Sequence, residues 1–355
     1  MRRSPRIAAR TLIALGLAVA LLQPVGPAVA DESNSIWRAA SLERSQSKLR
    51  FLTLRNYRPG EPAEDRFGGQ RSALRAGICH TERAELSWLR DANRVSPIAL
   101  PDGYSQVVDV ELQPQDDFWA ALATESALTR PVLYTHGYNE SFDRACRRAT
   151  ELMHAIDREA RFVLFSWPSD GNPARYTHDE ADIGWSEAGL VHAFRLMADR
   201  FGKGGFDVFA HSLGSRGVMR AVAAVAPADG TADPIINQLV FIAGDVDIGL
   251  FSYLSPHLQR AANRVSAIVN DQDLPLKLSE ELHGAPRLGQ AGPHLDALDG
   301  VDIYDLSDLS MRGSTGHLYH LNHPRVHALL RSLMSNDSPE RPDGRRVRIE
   351  DAEPN

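Results

Sequence analysis

Cysteine is scarce in this chain of 355 residues, which contains only Cys79 and Cys146. Neither has a histidine at the spacing of a zinc site, so the cysteines do not indicate a metal centre. In an exported protein the two could form one disulfide, whereas they could also be two separate buried thiols. The sequence leaves both alternatives open, because it does not show how far apart the two side chains are.

An excess of positive charge is also lacking. The chain has 39 Lys and Arg against 46 Asp and Glu, a formal net charge of −7. Its basic groups are brief, as at residues 345–348, which lie in a polar segment near the end of the chain. Since nucleic-acid binding depends on a positive surface, we expect no nucleic-acid partner.

The apolar run at residues 11–22 is too short to span a bilayer. It follows four arginines and precedes Ala28-Val-Ala30, a small-x-small cleavage site before Asp31. This order predicts a secretory signal peptide over residues 1–30, and its removal would take away four positive charges and leave a net charge of −11. Glycines and prolines interrupt the segment, which disfavours the alternative of an uncleaved anchor. We therefore expect a periplasmic or secreted protein with no stable membrane span after cleavage.

Four regions follow from composition and periodicity: the signal peptide, a polar N-terminal segment at 31–47, one domain at 48–334, and a disordered polar tail at 335–355. Within the domain, short apolar strands alternate with amphipathic helices. This alternation predicts an α/β fold with a mainly parallel sheet and helices on both faces. Strands are predicted at residues 49–54, 105–112 (near the sheet edge), 131–135, 162–166, 206–210, 238–243, 265–270 and 301–306. Helices are predicted at residues 118–128, 142–156, 183–201, 250–262 and 323–333, and directly after Ser212.

The most informative segment is residues 206–217, which read as a strand, a sharp turn and a helix. A serine in such a turn is raised above the sheet edge as a nucleophile, provided that its neighbours two residues away are small. Ala210 and Gly214 meet this condition around Ser212, although the usual pattern has glycine at both places. The Leu213 N–H would begin the helix and point toward developing negative charge. The alternative is an ordinary serine in a β–α turn.

The acid and the histidine that this chemistry requires follow in the expected order. In hydrolases of this architecture, nucleophile, acid and histidine come in that order along the chain, each after a strand. The strand at residues 265–270 is followed by Asp271 and Asp273, and a later loop contains His317. His317 would take the proton of Ser212, and the acid would orient its imidazole.

Other acids and histidines compete for these roles. Asp245 and Asp247 end the preceding strand and are reserve candidates, although each could instead cap the next helix. His320, His323 and His327 lie close to His317, but the last two resemble the start and the face of a helix. Spaced along one element, these rings would splay apart, and no carboxylate or cysteine cluster joins them. We therefore expect no metal site.

A second segment, residues 134–142, also follows a strand and precedes a helix. In this architecture the loop supplies one backbone N–H of an oxyanion hole, and the residue after the nucleophile supplies the other. We assign these donors to Tyr138 and Leu213, each contributing about 3 kcal/mol to transition-state stabilisation. His136 is expected to be a structural hydrogen-bonding residue under this loop.

The next predicted strand ends in a loop on the same side of the sheet. Trp167 in this loop is assigned to the wall of the substrate pocket, with simple packing as the alternative. Tyr176 and Asp179 precede a helix, and we expect them to cap it or to anchor a loop.

Together these motifs make the chain similar to an uncharacterised family of bacterial α/β-hydrolases, a domain-of-unknown-function group described as esterase- or lipase-like. The likeness runs from about residue 51 to 333, and the resemblance implies an α/β-hydrolase fold. It also implies a serine hydrolase with Ser212, Asp273 and His317 as its triad, and its register selects Asp273 over Asp271. Two positions depart from the family, Gly244 in place of proline and Pro275 within the acid loop. The matching motifs are His136-Gly-Tyr-Asn, Ser141-Phe142, Phe165-Ser-Trp-Pro-Ser, Gly171, Tyr176, Asp179, Ala210-His-Ser-Leu-Gly214, Ala243-Gly-Asp-Val-Asp247, Asp273, Leu276-Lys-Leu-Ser279, Gly284, Arg287-Leu-Gly289 and Gly316-His317.

The sequence thus predicts an exported serine hydrolase that cleaves small-molecule carboxylic esters through an acyl-enzyme, without a cofactor. No long insertion separates the nucleophile helix from the acid loop, so we expect an open site for short or medium acyl chains. An acyltransferase, an amidase or a peptidase would use the same triad, and a non-catalytic envelope binding protein is the rival from another class. The sequence does not indicate an oligomeric state or the natural substrate.

Overall fold

The computed structural model describes residues 44–85, 103–124, 129–227, 233–311, 315–335 and 346–350. The predicted signal peptide lies outside these residues. Within these ranges, none of the helices combines the length and the apolar character that crossing a bilayer requires.

The strands of the described residues form one sheet with the order β10-β9-β8-β7-β6-β4-β5-β1-β2-β3. Neighbours from β10 to β1 pair in parallel, and β1, β2 and β3 pair antiparallel at one edge. The prediction of a mainly parallel sheet, with residues 105–112 near its edge, is therefore confirmed. The strands are β1 (Arg44–Tyr57), β2 (Phe67–Glu85), β3 (Gly103–Gln113), β4 (Val132–Thr135), β5 (Phe162–Ser166), β6 (Phe206–His211), β7 (Ile236–Ile242), β8 (Ala262–Val269), β9 (Val301–Asp305) and β10 (Arg346–Arg348).

Helices cover both faces of this sheet, as predicted. Along β6, Val208 and Ala210 pack into one apolar cluster with α4, α5 and α6, whereas Phe209 packs into a second cluster with α2 and α9. This alternation follows from the two-residue period of a strand that is buried on both faces. The helices are α1 (Gln115–Thr124), α2 (Phe142–Ala155), α3 (Tyr176–Trp185), α4 (Glu187–Phe201), α5 (Gly214–Val225), α6 (Ile248–Ala261), α7 (Leu274–His283), α8 (Tyr319–Asn322) and α9 (Pro324–Met334).

Some elements differ from their predictions. The first strand begins at Arg44 rather than at residue 49, because its polar start pairs with β2 from Arg44 opposite Ala84. Residues 44–47 of the segment predicted as a separate polar region therefore belong to β1. The helix predicted at 183–201 is two helices that meet at Ser186, whose hydroxyl donates to the Asp182 carbonyl. The strand β2 and the helix α7 were not predicted.

The prediction of a disordered tail over 335–355 is wrong for residues 346–348. These residues form β10, which pairs in parallel with β9 at the sheet edge. The Arg346 guanidinium contacts the buried carboxylate of Asp305, and that of Arg348 contacts Asp308. Ion pairs and backbone hydrogen bonds therefore order this segment despite its polar composition.

Cys79 and Cys146 are joined in a disulfide that links β2 to α2. Both residues are fully buried. The bond therefore ties the antiparallel edge of the sheet to a helix that begins next to the candidate site.

Candidate active site

Ser212 lies in the tight turn between β6 and α5, with a backbone φ of 50°. This left-handed conformation is uncommon for a residue other than glycine and persists only where its surroundings hold it. The Ser212 N–H donates to the Ile242 carbonyl at 3.0 Å, while its carbonyl accepts from the N–H groups of Ser215 (3.0 Å) and Asp245 (3.1 Å). The strained turn is thus fixed from both the strand and the helix side.

Two glycines allow the loop after β4 to approach this turn closely. A Cβ atom at Gly214 would lie 2.2 Å from the His136 carbonyl oxygen. A Cβ atom at Gly137 would lie 2.9 Å from the Ser212 Cβ and 2.8 Å from the His211 Nδ1. Neither position can accept a larger residue without a shift of the neighbouring atoms, which at Gly214 belong to the backbone.

The structure brings Ser212, His317 and Asp273 together. The His317 Nε2 lies 2.9 Å from the Ser212 Oγ, and the His317 Nδ1 lies 2.8 Å from the Asp273 Oδ2. Burial raises the pKa of Asp273, while the charge of His317 and its hydrogen bond act in the opposite direction. The arrangement is that of a nucleophile, a base and an orienting acid.

The loop that carries His317 is held against the acid loop. The Gly316 carbonyl accepts from the Asn270 amide at 3.1 Å, and the Thr315 carbonyl accepts from the Leu274 N–H at 3.0 Å. Gly316 has a φ of 75°, which favours glycine at this position. The loop that carries the imidazole is therefore held by one side-chain and one backbone hydrogen bond from the segment that follows β8.

The two backbone donors assigned from the sequence border the same turn. Leu213 lies at the N-terminus of α5, and Tyr138 follows β4 and lines the cleft above Ser212. Among the described residues, no acceptor is bonded to the backbone N–H of either residue. Both N–H groups are therefore available as donors, as an oxyanion hole requires.

A buried arginine that sequence reasoning missed supports the loop after β4. Arg55 lies near the end of β1 and donates to the carbonyls of Glu140 and Ser169, each at 2.7 Å, and to the Ser166 hydroxyl at 2.8 Å. Burial lowers the pKa of Arg55 to about 10, although the charge of Asp179 opposes the shift. A charged residue at the end of an apolar strand was the one available signal for it.

His136 and Trp167 form the layer beneath this loop. The His136 Nδ1–H donates to the Gly137 carbonyl at 2.8 Å, and its ring stacks on Trp167 with 5.1 Å between centroids. Burial lowers the pKa of His136 to about 3, with the charge of Arg55 adding to the effect. The prediction of a structural histidine is confirmed. Trp167 is fully buried and donates to the His136 carbonyl, so its assignment to the pocket wall is wrong.

Asp179 lies in the first turn of α3 rather than before a helix, and it joins two loops of the site, which confirms the anchoring alternative. Its carboxylate accepts from the Ser169 hydroxyl at 2.6 Å and from the N–H groups of Asn139 (3.1 Å) and Asp170 (2.9 Å). Within the described residues, the side chains of Asp170, His178 and Asp179 are close enough to share a metal ion. Their present partners are loop N–H groups, the Ser169 hydroxyl, Arg175, Asp182 and one another, with the His178 Nδ1 2.8 Å from Asp170.

The alternative acids have other partners. Asp247 caps α6 by accepting from a backbone N–H, which is the alternative role given for it above. Asp271 is exposed. Asp245 is buried and contacts Arg216 at 3.2 Å and the hydroxyl of Ser279 at 2.6 Å. Burial alone would raise the pKa of Asp245, but Arg216 and the hydrogen bonds outweigh it, so that the pKa is lowered.

The competing histidines do not contact Ser212. His323 caps α9, and His327 donates to the His320 carbonyl at 3.1 Å. His320 is fully buried, with its ring 4.2 Å from that of His211 and its Nε2 3.2 Å from the Tyr134 hydroxyl. Burial lowers the pKa of both His211 and His320 well below the ordinary range. The two rings are therefore neutral packing groups behind His317.

A cleft of about 280 Å³ opens above Ser212 and His317. Its polar side includes residues from the loop after β4 and from α2, and its α7 side is apolar. A larger cavity of about 580 Å³ at the opposite ends of the strands is lined by arginines and contains none of the site residues. The apolar lining residues of the cleft are Pro173, Pro275, Leu276, Leu278, Leu282 and Leu318.

The sheet order, the strained serine turn and the convergent loops define an α/β hydrolase. The sequence model of the family described as alpha/beta hydrolase of unknown function (DUF900) matches residues 113–333, and the chain belongs to this family. The resemblance stated from the sequence motifs is thereby confirmed. No curated protein matches the chain.

Solved structures with similar folds include several hydrolases. A predicted CIB-like hydrolase from Thermoplasma acidophilum shares 14% identity with a TM-score of 0.34, covering 59% of this chain and 88% of that one. A double mutant of the esterase E40 shares 10% identity with a TM-score of 0.37, covering 94% and 100%. A fungal esterase from Rhizomucor miehei shares 11% identity with a TM-score of 0.34, covering 86% and 87%.

Proposed function

We propose that the protein is a serine hydrolase that cleaves carboxylic esters through an acyl-enzyme. One observation carries the proposal: the Ser212 Oγ lies 2.9 Å from the His317 Nε2, while the His317 Nδ1 lies 2.8 Å from Asp273. The left-handed backbone of Ser212 and its place at the mouth of a cleft support the same role.

Asp273 sets the tautomer of the base. Its carboxylate accepts the Nδ1–H of His317, which leaves the lone pair of Nε2 directed at the serine hydroxyl. As Ser212 attacks the ester carbonyl, His317 takes the hydroxyl proton, and the buried carboxylate stabilises the imidazolium that forms. Asp273 remains ionised throughout, so it acts by orientation and charge rather than by proton transfer.

The backbone N–H groups of Leu213 and Tyr138 receive the oxyanion of the tetrahedral intermediate. Each such donor contributes about 3 kcal/mol when it is aimed at the developing charge. The intermediate collapses as His317 protonates the departing alcohol oxygen. Water then enters, His317 removes its proton, and the acyl-enzyme is hydrolysed to the free acid and Ser212.

Covalent labelling tests this assignment. We expect a fluorophosphonate probe to label the protein at Ser212, with no labelling of Ser212→Ala and weak labelling of His317→Ala. Ser252→Ala, at an exposed position on α6, is the matched control and should label like the wild type. Absence of labelling in the folded wild-type protein would exclude the serine hydrolase and favour a non-catalytic binding protein.

The bond that is cleaved is tested separately. Hydrolysis of p-nitrophenyl esters from acetate to dodecanoate should show a preference for short or medium chains, because the cleft is open and small. Product analysis with competing alcohols and amines distinguishes hydrolysis from acyl transfer, and matched amides test for amidase or peptidase activity. Labelling without ester cleavage would retain the nucleophile and reject the ester as substrate.

Export to the periplasm or beyond the cell is part of the proposal. The sequence of residues 1–30 supports it, and so does the disulfide between Cys79 and Cys146, because disulfides persist in oxidising compartments. Cell fractionation followed by N-terminal sequencing should find a mature chain that begins at Asp31. A full-length chain in the cytoplasm would contradict this.

A further inference from the structure

Two arginines of α2 line the same cleft as Ser212, and they differ in their partners. Arg148 pairs with the carboxylate of Glu140, which is buried. Arg144 has no carboxylate within ion-pairing distance among the described residues. Within the part of the chain that the structure describes, its one side-chain hydrogen bond runs from the Arg144 Nη1 to the Asn139 carbonyl at 2.6 Å.

An unpaired, partly buried guanidinium beside a reactive serine is a specific chemical feature. Burial lowers the pKa of Arg144, which means that its surroundings disfavour the charge, although Glu140 acts in the opposite direction. A guanidinium carries five N–H donors in a planar fork that matches the oxygens of a carboxylate or phosphate. One of these donors is bonded to Asn139, so the others can bind an anion that enters the cleft.

The α7 side of the cleft has the opposite character. Pro275, Leu278 and Leu282 contribute apolar surface there, and the Leu282 side chain is 46% exposed. Such surface favours contact with a hydrocarbon chain over contact with water. The two carboxylates that line the cleft, those of Glu140 and Asp245, are each paired with another arginine. The cleft therefore presents the Arg144 guanidinium and an apolar surface to one ligand.

We propose that Arg144 forms an anion subsite, and that the substrate is an ester carrying a carboxylate or phosphate group in addition to a hydrocarbon chain. This inference rests on the proposed function, since the ester is the one that Ser212 attacks. The anionic group pairs with the Arg144 guanidinium, while the chain lies against Leu278 and Leu282.

Matched ester pairs test the subsite. On the acyl side, p-nitrophenyl hexanoate is compared with the p-nitrophenyl monoester of hexanedioic acid. On the alcohol side, 4-carbamoylphenyl hexanoate is the neutral ester. It is compared with two anionic hexanoate esters, 4-carboxyphenyl hexanoate and 4-(phosphonooxy)phenyl hexanoate. We expect kcat/KM for at least one anionic ester to exceed that of its neutral partner by about tenfold or more, chiefly through KM.

Arg144→Gln should reduce that ratio to about one, because glutamine can still donate to the Asn139 carbonyl but carries no charge. Arg147→Gln is the matched control on the same helix: Arg147 pairs with Asp143 at 2.8 Å and does not line the cleft. It should keep the wild-type ratio. Loss of the preference in both variants, or in neither, would overturn the subsite.

Binding to the Ser212→Ala protein separates this inference from the proposed function. Calorimetry should show monomethyl hexanedioate binding about tenfold more tightly than its neutral dimethyl ester, and Arg144→Gln should remove the difference. If Ser212 cleaves esters with no anion preference, the subsite fails and the hydrolase stands. If no ester is cleaved, the hydrolase fails, and equal binding of the two probes would reject the subsite as well.

Discussion

Asp273 contacts both His317 and the first turn of α7: its Oδ2 lies 2.8 Å from the His317 Nδ1, and its Oδ1 accepts the Leu276 N–H at 3.0 Å. The helix thus fixes the carboxylate that orients the imidazole. In Asp273→Asn the amide can still occupy this place but cannot stabilise the imidazolium or enforce its tautomer. We expect kcat/KM for ester hydrolysis to fall by about 10³- to 10⁴-fold, with an unchanged circular dichroism spectrum.

Asp245→Asn is the contrasting variant for this measurement. The buried Asp245 pairs with Arg216, so its neutralisation should reduce the free energy of unfolding by about 3 kcal/mol. Its effect on kcat should be much smaller than that of Asp273→Asn, because Asp245 does not contact His317. A larger activity loss in Asp245→Asn would mean that Asp245 is the acid.

Gly214→Ala should damage both stability and reactivity. The added Cβ would lie 2.2 Å from the His136 carbonyl oxygen, a backbone atom that cannot turn away. Overpacking of this kind costs about 3 kcal/mol in the free energy of unfolding, and the displaced turn moves Ser212 away from its base. We expect the rate of fluorophosphonate labelling to fall by about 100-fold.

Gly184→Ala is the control for this experiment. Apart from its own helix backbone and chain neighbours, no atom of the described residues lies within 4 Å of the Cβ that it would add in α3. The substitution should stabilise the protein by about 0.5 to 1 kcal/mol and leave labelling unaffected. Urea denaturation measures the free energy of unfolding of both variants. An equal change in the two would show that close packing does not prevent a larger residue at Gly214.

The positions of Ser212 and His317 could be predicted because local and sequential signals agree. Twelve residues contain the whole pattern of a strand, a tight turn with small neighbours and a helix. The histidine follows later in the chain, in a loop that contains a glycine. Choosing Asp273 needed the resemblance to a family. Asp245 also ends a strand, and what separates the two acids is their partners in space, His317 for one and Arg216 for the other.

Features that depend on distant pairing could not be predicted. The strand β2 has no sustained apolar alternation, and it forms because it pairs with β1 and β3 on either side. Arg55 reads in the sequence as a polar residue that closes a strand, whereas its role comes from carbonyls more than 80 residues away. The disulfide is of the same kind, because Cys79 and Cys146 meet only when α2 packs on β2.

Buried histidines should make the protein sensitive to acid. Burial lowers the folded-state pKa of His136, His211 and His320, whereas in the unfolded chain each titrates near 6.5. Below pH 6.5 the unfolded state therefore binds protons that the folded state does not. The contribution of these neutral histidines to the free energy of unfolding is fully present above pH 6.5 and decreases as the pH falls. For His136 the decrease continues down to its folded-state pKa of about 3. Each histidine contributes a slope of about 1.4 kcal/mol per pH unit.

His320→Gln tests this linkage. The free energy of unfolding, measured by urea denaturation between pH 6 and pH 4.5, should depend on pH less steeply by about 1.4 kcal/mol per unit. Glutamine can still accept from the Tyr134 hydroxyl. His192→Gln, at an exposed position, should keep the wild-type slope. An identical slope in all three proteins would show that His320 is not held neutral by burial.

The disulfide between Cys79 and Cys146 should account for a large part of the stability. It closes a loop with a sequence separation of 67 residues, for which restriction of the unfolded chain corresponds to about 4 kcal/mol. Urea denaturation of the wild type with dithiothreitol, and of the Cys79→Ala/Cys146→Ala variant, should both show this loss. Because the chain has no other cysteine, dithiothreitol should not affect the double variant. Equal stability of oxidised and reduced wild type would mean that the bond does not stabilise the folded protein.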